Sequence, residues 1–189
     1  MPLTPLAVAT LALLAERPMH PYEMFQLLQD RHEDELVKVR PGSLYHAVDR
    51  LHAAELVTAT GTEREGNRPE RTTYAITPDG SAALTSRIRE MLSTPVNEYP
   101  QFPVALAEAH NLPADTAVED LGRYAAALAE QIRLLDLFLG EAVERGVDEA
   151  YWIEGDYLRT VRRAEHAWIT NLITRIENKD LTWQPHHPA

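Results

Sequence analysis

The chain has 189 residues, 44% hydrophobic and 25% charged, a balance that suits one large or two small globular domains rather than a disordered chain. It has no cysteine, which excludes disulfides and thiolate metal sites and fits a reducing compartment. The formal net charge is −11, but residues 1–90 hold 10 Lys/Arg against 13 Asp/Glu, a balance of −3, whereas residues 91–189 hold 8 against 16, a balance of −8.

The apolar run "LAVATLALLA", residues 6–15, lacks the basic start and small-residue cleavage site of a signal peptide. It is also shorter than the roughly 20 residues needed to span a bilayer. It is expected to be a buried helix of a cytoplasmic protein that does not enter membranes. Thr4 is placed to cap it, Pro5 to open it, and Pro18 to stop it. "MHPYEMFQLLQDRH" starts a second helix with Met24, Phe25, Leu27 and Leu28 inward. "RPGSLYHAVDRLHAAEL" is the third. Leu44, Ala47, Val48 and Leu51 recur at i, i+3, i+4, i+7 as its buried stripe, leaving Ser43, Tyr45, His46, Asp49 and Arg50 facing out.

The period then changes. "LVTAT" (56–60) and "TTYAIT" (72–77) have the β-branched character of strands, and the polar "GTEREGNRPER" between them makes a long hairpin tip. A helix follows, capped by Thr77 and opened by Pro78. Residues 93–113 carry four prolines and are expected to be a connector, with a short helix at 103–109. Two long helices come next. Residues 114–145 carry a heptad-like stripe of Leu121, Ala125, Leu128, Ile132, Leu135, Leu139 and Ala142, ended by Gly146. Residues 148–178 carry Tyr157, Val161, Ala164, Trp168, Leu172 and Ile176 as the expected buried stripe. Leu134, Leu137, Phe138, Ile169 and Ile173 are then left without cover, which implies a second subunit. The end, "WQPHHPA", is expected to fray.

Three helices followed by a two-stranded hairpin is the order of a winged helix, a helix-turn-helix variant. Its third helix enters a DNA major groove and its wing reaches the flanking backbone or minor groove. Amides near Gly42 and Ser43, at a helix start, suit a phosphate. Gly42 permits close approach, and Ser43, read as facing out, is expected to serve phosphate rather than the fold. Tyr45 lies off the buried stripe, which favours contact with DNA over packing on the hairpin. His46 and Arg50 share its outward sector. Within residues 38–71, Lys38, Arg40, Arg50, Arg64, Arg68 and Arg71 face five acidic residues, a local balance of +1. In the wing, the bland alternative is a solvated charge run, but Arg68, beside Asn67 and Pro69, is the better candidate for backbone contact. Arg40 is a poor N-cap, which points instead to phosphate.

"MHPYEMFQLL", "RPGSLYHAVDRLHAAELV" and "NRPERTTYAITPDGSAAL" resemble the PadR family of bacterial transcriptional regulators over residues 4–90. "EYPQFPVALA" and "YLRTVRRAEHAW" resemble the longer C-terminal region of some members more loosely. The sequence departs from the common family pattern at Pro21, where members often have Gly, and at His46, where they often have Pro. The resemblance implies a dimeric repressor, with a small-molecule effector in some members.

The combined expectation is a mainly α fold with a small β hairpin. Residues 1–92 form a winged-helix DNA-binding domain, 93–113 a Pro-rich connector, and 114–189 a helical dimerisation and effector domain. The expected DNA-binding residues are Lys38, Arg40, Gly42, Ser43, Tyr45, His46, Arg50, Asn67, Arg68 and Arg71. Trp152, Trp168, Tyr124, Phe138 and Tyr157 are candidate walls for a small aromatic effector. The expected partners are double-stranded DNA bearing a near-palindromic operator and a second copy of the chain. No cofactor, metal or catalytic residue is expected: His186 and His187 lack Cys partners, and no nucleophile or Gly-rich phosphate loop is present. The alternative is a winged-helix protein-interaction module without specific DNA binding.

Overall fold

Proline opens each of the first four helices in the computed structural model, which describes residues 3–33, 36–63 and 71–183. These helices are α1 (Pro5–Glu16), α2 (Pro21–Asp30), α3 (Pro41–Ala53) and α4 (Pro78–Ser93). At the first helical position the missing N–H of proline costs nothing, and its fixed φ is already helical. The chain divides into two compact units, Met1–Asn97 and Glu98–Ala189.

In the first unit, Thr4 Oγ1 accepts from Ala7 N at 3.2 Å and so caps α1. The apolar run 6–15 is the centre of the core. Leu11, Leu13 and Leu14 pack with Met24 and Leu28 of α2, Leu44, Val48 and Leu51 of α3, and Leu84 of α4. Thr10 is fully buried, and its hydroxyl is satisfied by the Leu6 carbonyl at 2.7 Å. The exposed Arg31–Glu16 pair, at 2.5 and 2.9 Å, ties the end of α2 to the end of α1. The Arg31 guanidinium, by its hydrogen bond, holds the Glu16 carboxyl below the ordinary range.

The strands β1 (Val57–Glu63) and β2 (Arg71–Ile76) pair antiparallel, Val57 opposite Ile76 and Glu63 opposite Arg71. The register shifts between Ala59 and Gly61. Met19, between α1 and α2, bonds both ways with Tyr74, at 3.1 and 3.0 Å, and so adds a one-residue third strand to the hairpin. The return into α4 is tight. The Leu56 carbonyl accepts from Thr77 N and Thr77 Oγ1, each at 3.0 Å, while Gly80 N donates to Thr77 Oγ1 at 3.0 Å.

The second unit holds α5 (Gln101–Glu108), α6 (Ala114–Glu144) and α7 (Ile153–Glu177). Helix α5 begins two residues before the expected 103. Pro103 sits in its first turn, where an amide would have no intrahelical acceptor anyway. Helix α6 buries the expected stripe except Ile132, which is half-buried, and Gly146 follows it with φ 67°.

Several expectations fail in this unit. Helix α7 starts at Ile153, not 148, because Glu149–Tyr151 form a 3-10 turn capped by Asp148 Oδ1 and Trp152 breaks the backbone at φ −144°. Its buried stripe is also rotated. Gly155, Ile169, Leu172 and Ile176 are inside, whereas Tyr157, Val161 and Trp168 are 67%, 45% and 53% exposed. Ile169, expected to lack cover, is fully buried. Gly155 accounts for part of this, since a Cβ there would lie 3.1 Å from Leu139 Cδ2. The rest lies at mid-helix, where α6 and α7 are joined by polar groups. Arg163 Nη2 reaches both oxygens of Asp136 at 2.8 and 2.9 Å, and Tyr124 OH donates to Glu165 at 3.2 Å. Trp183 is not frayed either: its ring is half-buried against the α6–α7 core and Nε1 donates to the Leu112 carbonyl at 2.9 Å.

Candidate nucleic-acid interface

Helix α3 divides cleanly into two faces. Leu44, Ala47, Val48 and Leu51 are at most 3% exposed, while Tyr45 is 48% exposed and His46, Asp49 and Arg50 lie open beside it. An open groove of about 530 Å³ lies between Leu6 and the side chains of Ser43, His46, Asp49 and Arg50. Arg50 is oriented along the helix by a 3.3 Å bond from Nε to the His46 carbonyl. Among the described residues, the side chains of Lys38, Tyr45 and His46 make no hydrogen bond or ion pair.

The start of α3 is self-capped. Ser43 Oγ accepts from Arg40 N at 2.9 Å and donates to the Arg40 carbonyl at 2.8 Å. This corrects the expectation that Ser43 serves only an external partner. Its hydroxyl supplies one half of a capping box, holding the Arg40 backbone, while the first amides of the helix keep no side-chain acceptor and the Arg40 side chain is exposed. Ser43→Ala should therefore cost about 1 kcal/mol of stability, measured by chemical denaturation, apart from any effect on binding. A midpoint equal to wild type would show that the cap contributes nothing.

Gly42 is not required by the fold. Its φ is ordinary, and a Cβ built there meets nothing within 4 Å. The space left open at the second helical position faces outward, next to the free amides of the helix start.

The hairpin base braces α3. His52 Nδ1 lies 3.1 Å from the Val57 carbonyl, and its ring meets Tyr74 edge-on with centroids 5.7 Å apart. Burial pushes the Tyr74 phenol up, and the charge of Asp49 adds to it. Asn67, Arg68 and Arg64 lie outside the described residues; the backbone of Arg71 opens β2 opposite Glu63.

The five candidate effector residues are not gathered at one point. Tyr124 and Phe138 are fourteen residues apart on α6, about 21 Å at 1.5 Å per residue. Tyr124 stacks on Phe102 with centroids 4.1 Å apart, which explains its aromatic character as packing. Trp152 Nε1 donates to the Val147 carbonyl at 3.1 Å, and Phe138 lies against Gly155. Trp168 and Tyr157 are exposed on the outer face of α7. Sequence reasoning had no signal for the Phe102 stack, because the two rings come from different helices.

Among the described residues, no helix is long and apolar enough to cross a membrane. Residues 10–86 match the family model for the transcriptional regulator PadR-like family. No curated protein matches significantly. The fold is similar to that of Bacillus subtilis PadR in complex with operator DNA, with a TM-score of 0.78 at 14% identity, covering 93% of this chain and 99% of that one. It is also similar to the same protein in complex with p-coumaric acid (TM-score 0.72, 13% identity, 91% and 98% covered). The Vibrio cholerae virulence activator AphA is a third such structure (TM-score 0.70, 15% identity, 92% and 99% covered). At these identities the solved structures speak to the fold alone. Residues 10–86 thus match the PadR-like family model, and the fold of the chain is that of the solved PadR-type winged-helix regulators.

Proposed function

We propose that this chain is a cytoplasmic, homodimeric, sequence-specific DNA-binding repressor that is released by a small-molecule effector, and that it has no catalytic activity. Each protomer sets α3 in a major groove and its wing on the flanking backbone. The observation that carries this reading is the outward face of α3. Its polar side chains have work neither in the core nor, apart from Ser43 and Arg50, in the hydrogen bonding of the fold, and Gly42 leaves open a space that the fold does not use. The DNA contacts assigned are Lys38, Arg40, Gly42, Ser43, Tyr45, His46, Arg50, Asn67, Arg68 and Arg71. That a similar structure holds operator DNA, and another p-coumaric acid, supports the choice of ligand classes. The repressor role and release by effector rest on the family resemblance.

Dimerisation is supported by the exposed apolar side chains of the second unit: Leu134 and Leu137 on α6, and Tyr157, Val161 and Trp168 on α7. A single apolar residue on a surface is ordinary, but a stripe of them at helical spacing marks an interaction face. With two-fold symmetry the operator is near-palindromic, its half-sites about 34–36 Å apart.

Anisotropy titrations of full-length protein against labelled DNA from its own promoter test the reading. Tyr45→Ala should weaken operator binding by about 1–3 kcal/mol, roughly 5- to 150-fold, with an unchanged melting temperature. The net charge of −11 favours one rival, a protein-interaction module. That rival requires no salt-dependent specific complex and no effect of Tyr45→Ala.

A further inference from the structure

Asp49 stands in the middle of the face that the proposed function gives to DNA. It is open to solvent, with His46 and Arg50 beside it and Tyr45 one turn before it. A carboxylate there opposes a polyanion, so its presence needs a reason; within the fold its charge bears on the Tyr74 phenol, but no hydrogen bond or ion pair holds it. Adjacent positions on a helix do not face one another, so Arg50 is not its partner. Arg50 is directed to the His46 carbonyl instead, and His52, three residues on, is directed to the Val57 carbonyl. Among the described residues, the Asp49 carboxylate makes no hydrogen bond and no ion pair. At the ninth position of a helix that begins at Pro41, it is too far from the N-terminus to gain from the dipole.

The chemistry of base edges supplies a reason. An ionised carboxylate only accepts hydrogen bonds. In the major groove guanine shows two acceptors, and thymine an acceptor and a methyl group, so both repel or exclude it. Adenine shows its amino donor beside the N7 acceptor, which opposes the second carboxylate oxygen. Cytosine shows the N4 amino donor without an adjacent acceptor on its own ring edge. We infer that Asp49 is a specificity-determining residue: it accepts from cytosine N4 at one position in each half-site and rejects other bases there by leaving the carboxylate unpaired near phosphate. Attraction by the Lys and Arg residues around it supplies affinity, and Asp49 supplies discrimination.

This inference rests on the proposed docking of α3. Full-length wild type, Asp49→Asn and Asp49→Ala are each put through selection from a random duplex library, with circular dichroism confirming the fold. Wild type should prefer cytosine at one position per half-site by roughly 5- to 150-fold. Asp49→Asn, which can donate and accept at once, should move that position to adenine, and Asp49→Ala should make it degenerate, with the rest of the site unchanged. If the Ala variant binds all sequences more tightly while the consensus stays the same, Asp49 acts by charge alone and base reading is overturned. The same consensus in all three proteins at unchanged affinity overturns any role for Asp49 but leaves the docking face standing. No consensus from wild type overturns the docking itself.

Discussion

Gly80→Ala is expected to destabilise the N-terminal unit by about 3 kcal/mol or more, a large part of the 5–15 kcal/mol that holds a typical domain folded. A Cβ on Gly80 would lie 2.0 Å from the Leu56 carbonyl oxygen and 2.9 Å from Ile76 Cγ1. The first obstacle is backbone and cannot rotate aside. Moving it breaks the two bonds that the same oxygen accepts from Thr77, which fasten β2 and the start of α4 to the end of α3. The higher helix propensity of alanine returns only about 1 kcal/mol. Gly42→Ala is the control. It gains the same propensity with nothing to strike, so its denaturation midpoint should equal or exceed that of wild type. Equal midpoints for Gly80→Ala and wild type in urea would contradict the packing described at this turn.

The glycine of "TPDG" shows where sequence reasoning stops. The Thr77 cap and the Pro78 start follow from local chemistry and agree with the structure. The role of Gly80 depends on a carbonyl 24 residues earlier, and no local pattern signals it. In α3 the buried stripe and the outward face both follow from periodicity, because one side is apolar and the other polar. Ser43 was readable as outward but not as half of a capping box, since Arg40 at the N-cap is not a capping type. In α7 periodicity misleads. Two apolar stripes compete, and the more continuous one, through Tyr157, Val161 and Trp168, is exposed in the single chain. The inward stripe is interrupted by Arg159, Arg162, Glu165 and His166, all half-buried. A helix that meets one neighbour within the chain and another between chains carries two such faces, and sequence alone does not say which is which.

Trp168→Asp should convert the protein to a monomer. The ring is half-exposed in the protomer, and its loss leaves the buried contacts of Ile169, Leu172 and Ile176 in place, so helical content should persist. In a two-fold interface the substitution acts twice and sets unpaired carboxylates in an apolar contact. Light scattering should report 21.3 kDa where wild type reports twice that mass. Operator affinity should fall by roughly 10²- to 10⁴-fold, the loss of the effective concentration that a tethered second reading head provides. A wild-type mass of 21.3 kDa at micromolar concentration, with operator affinity retained, would remove the dimer and the palindrome with it.

The central claim, that α3 and the wing form a sequence-specific DNA-reading face presented twice by a dimer, is tested most directly by hydroxyl-radical footprinting of the full chain. The DNA is the site recovered by selection with the same protein. The expected result is two protected patches related by two-fold symmetry, centred about 34–36 Å apart, both moved together to higher protein concentration by Tyr45→Ala. A single patch, or protection that does not depend on sequence or on Tyr45, would contradict it.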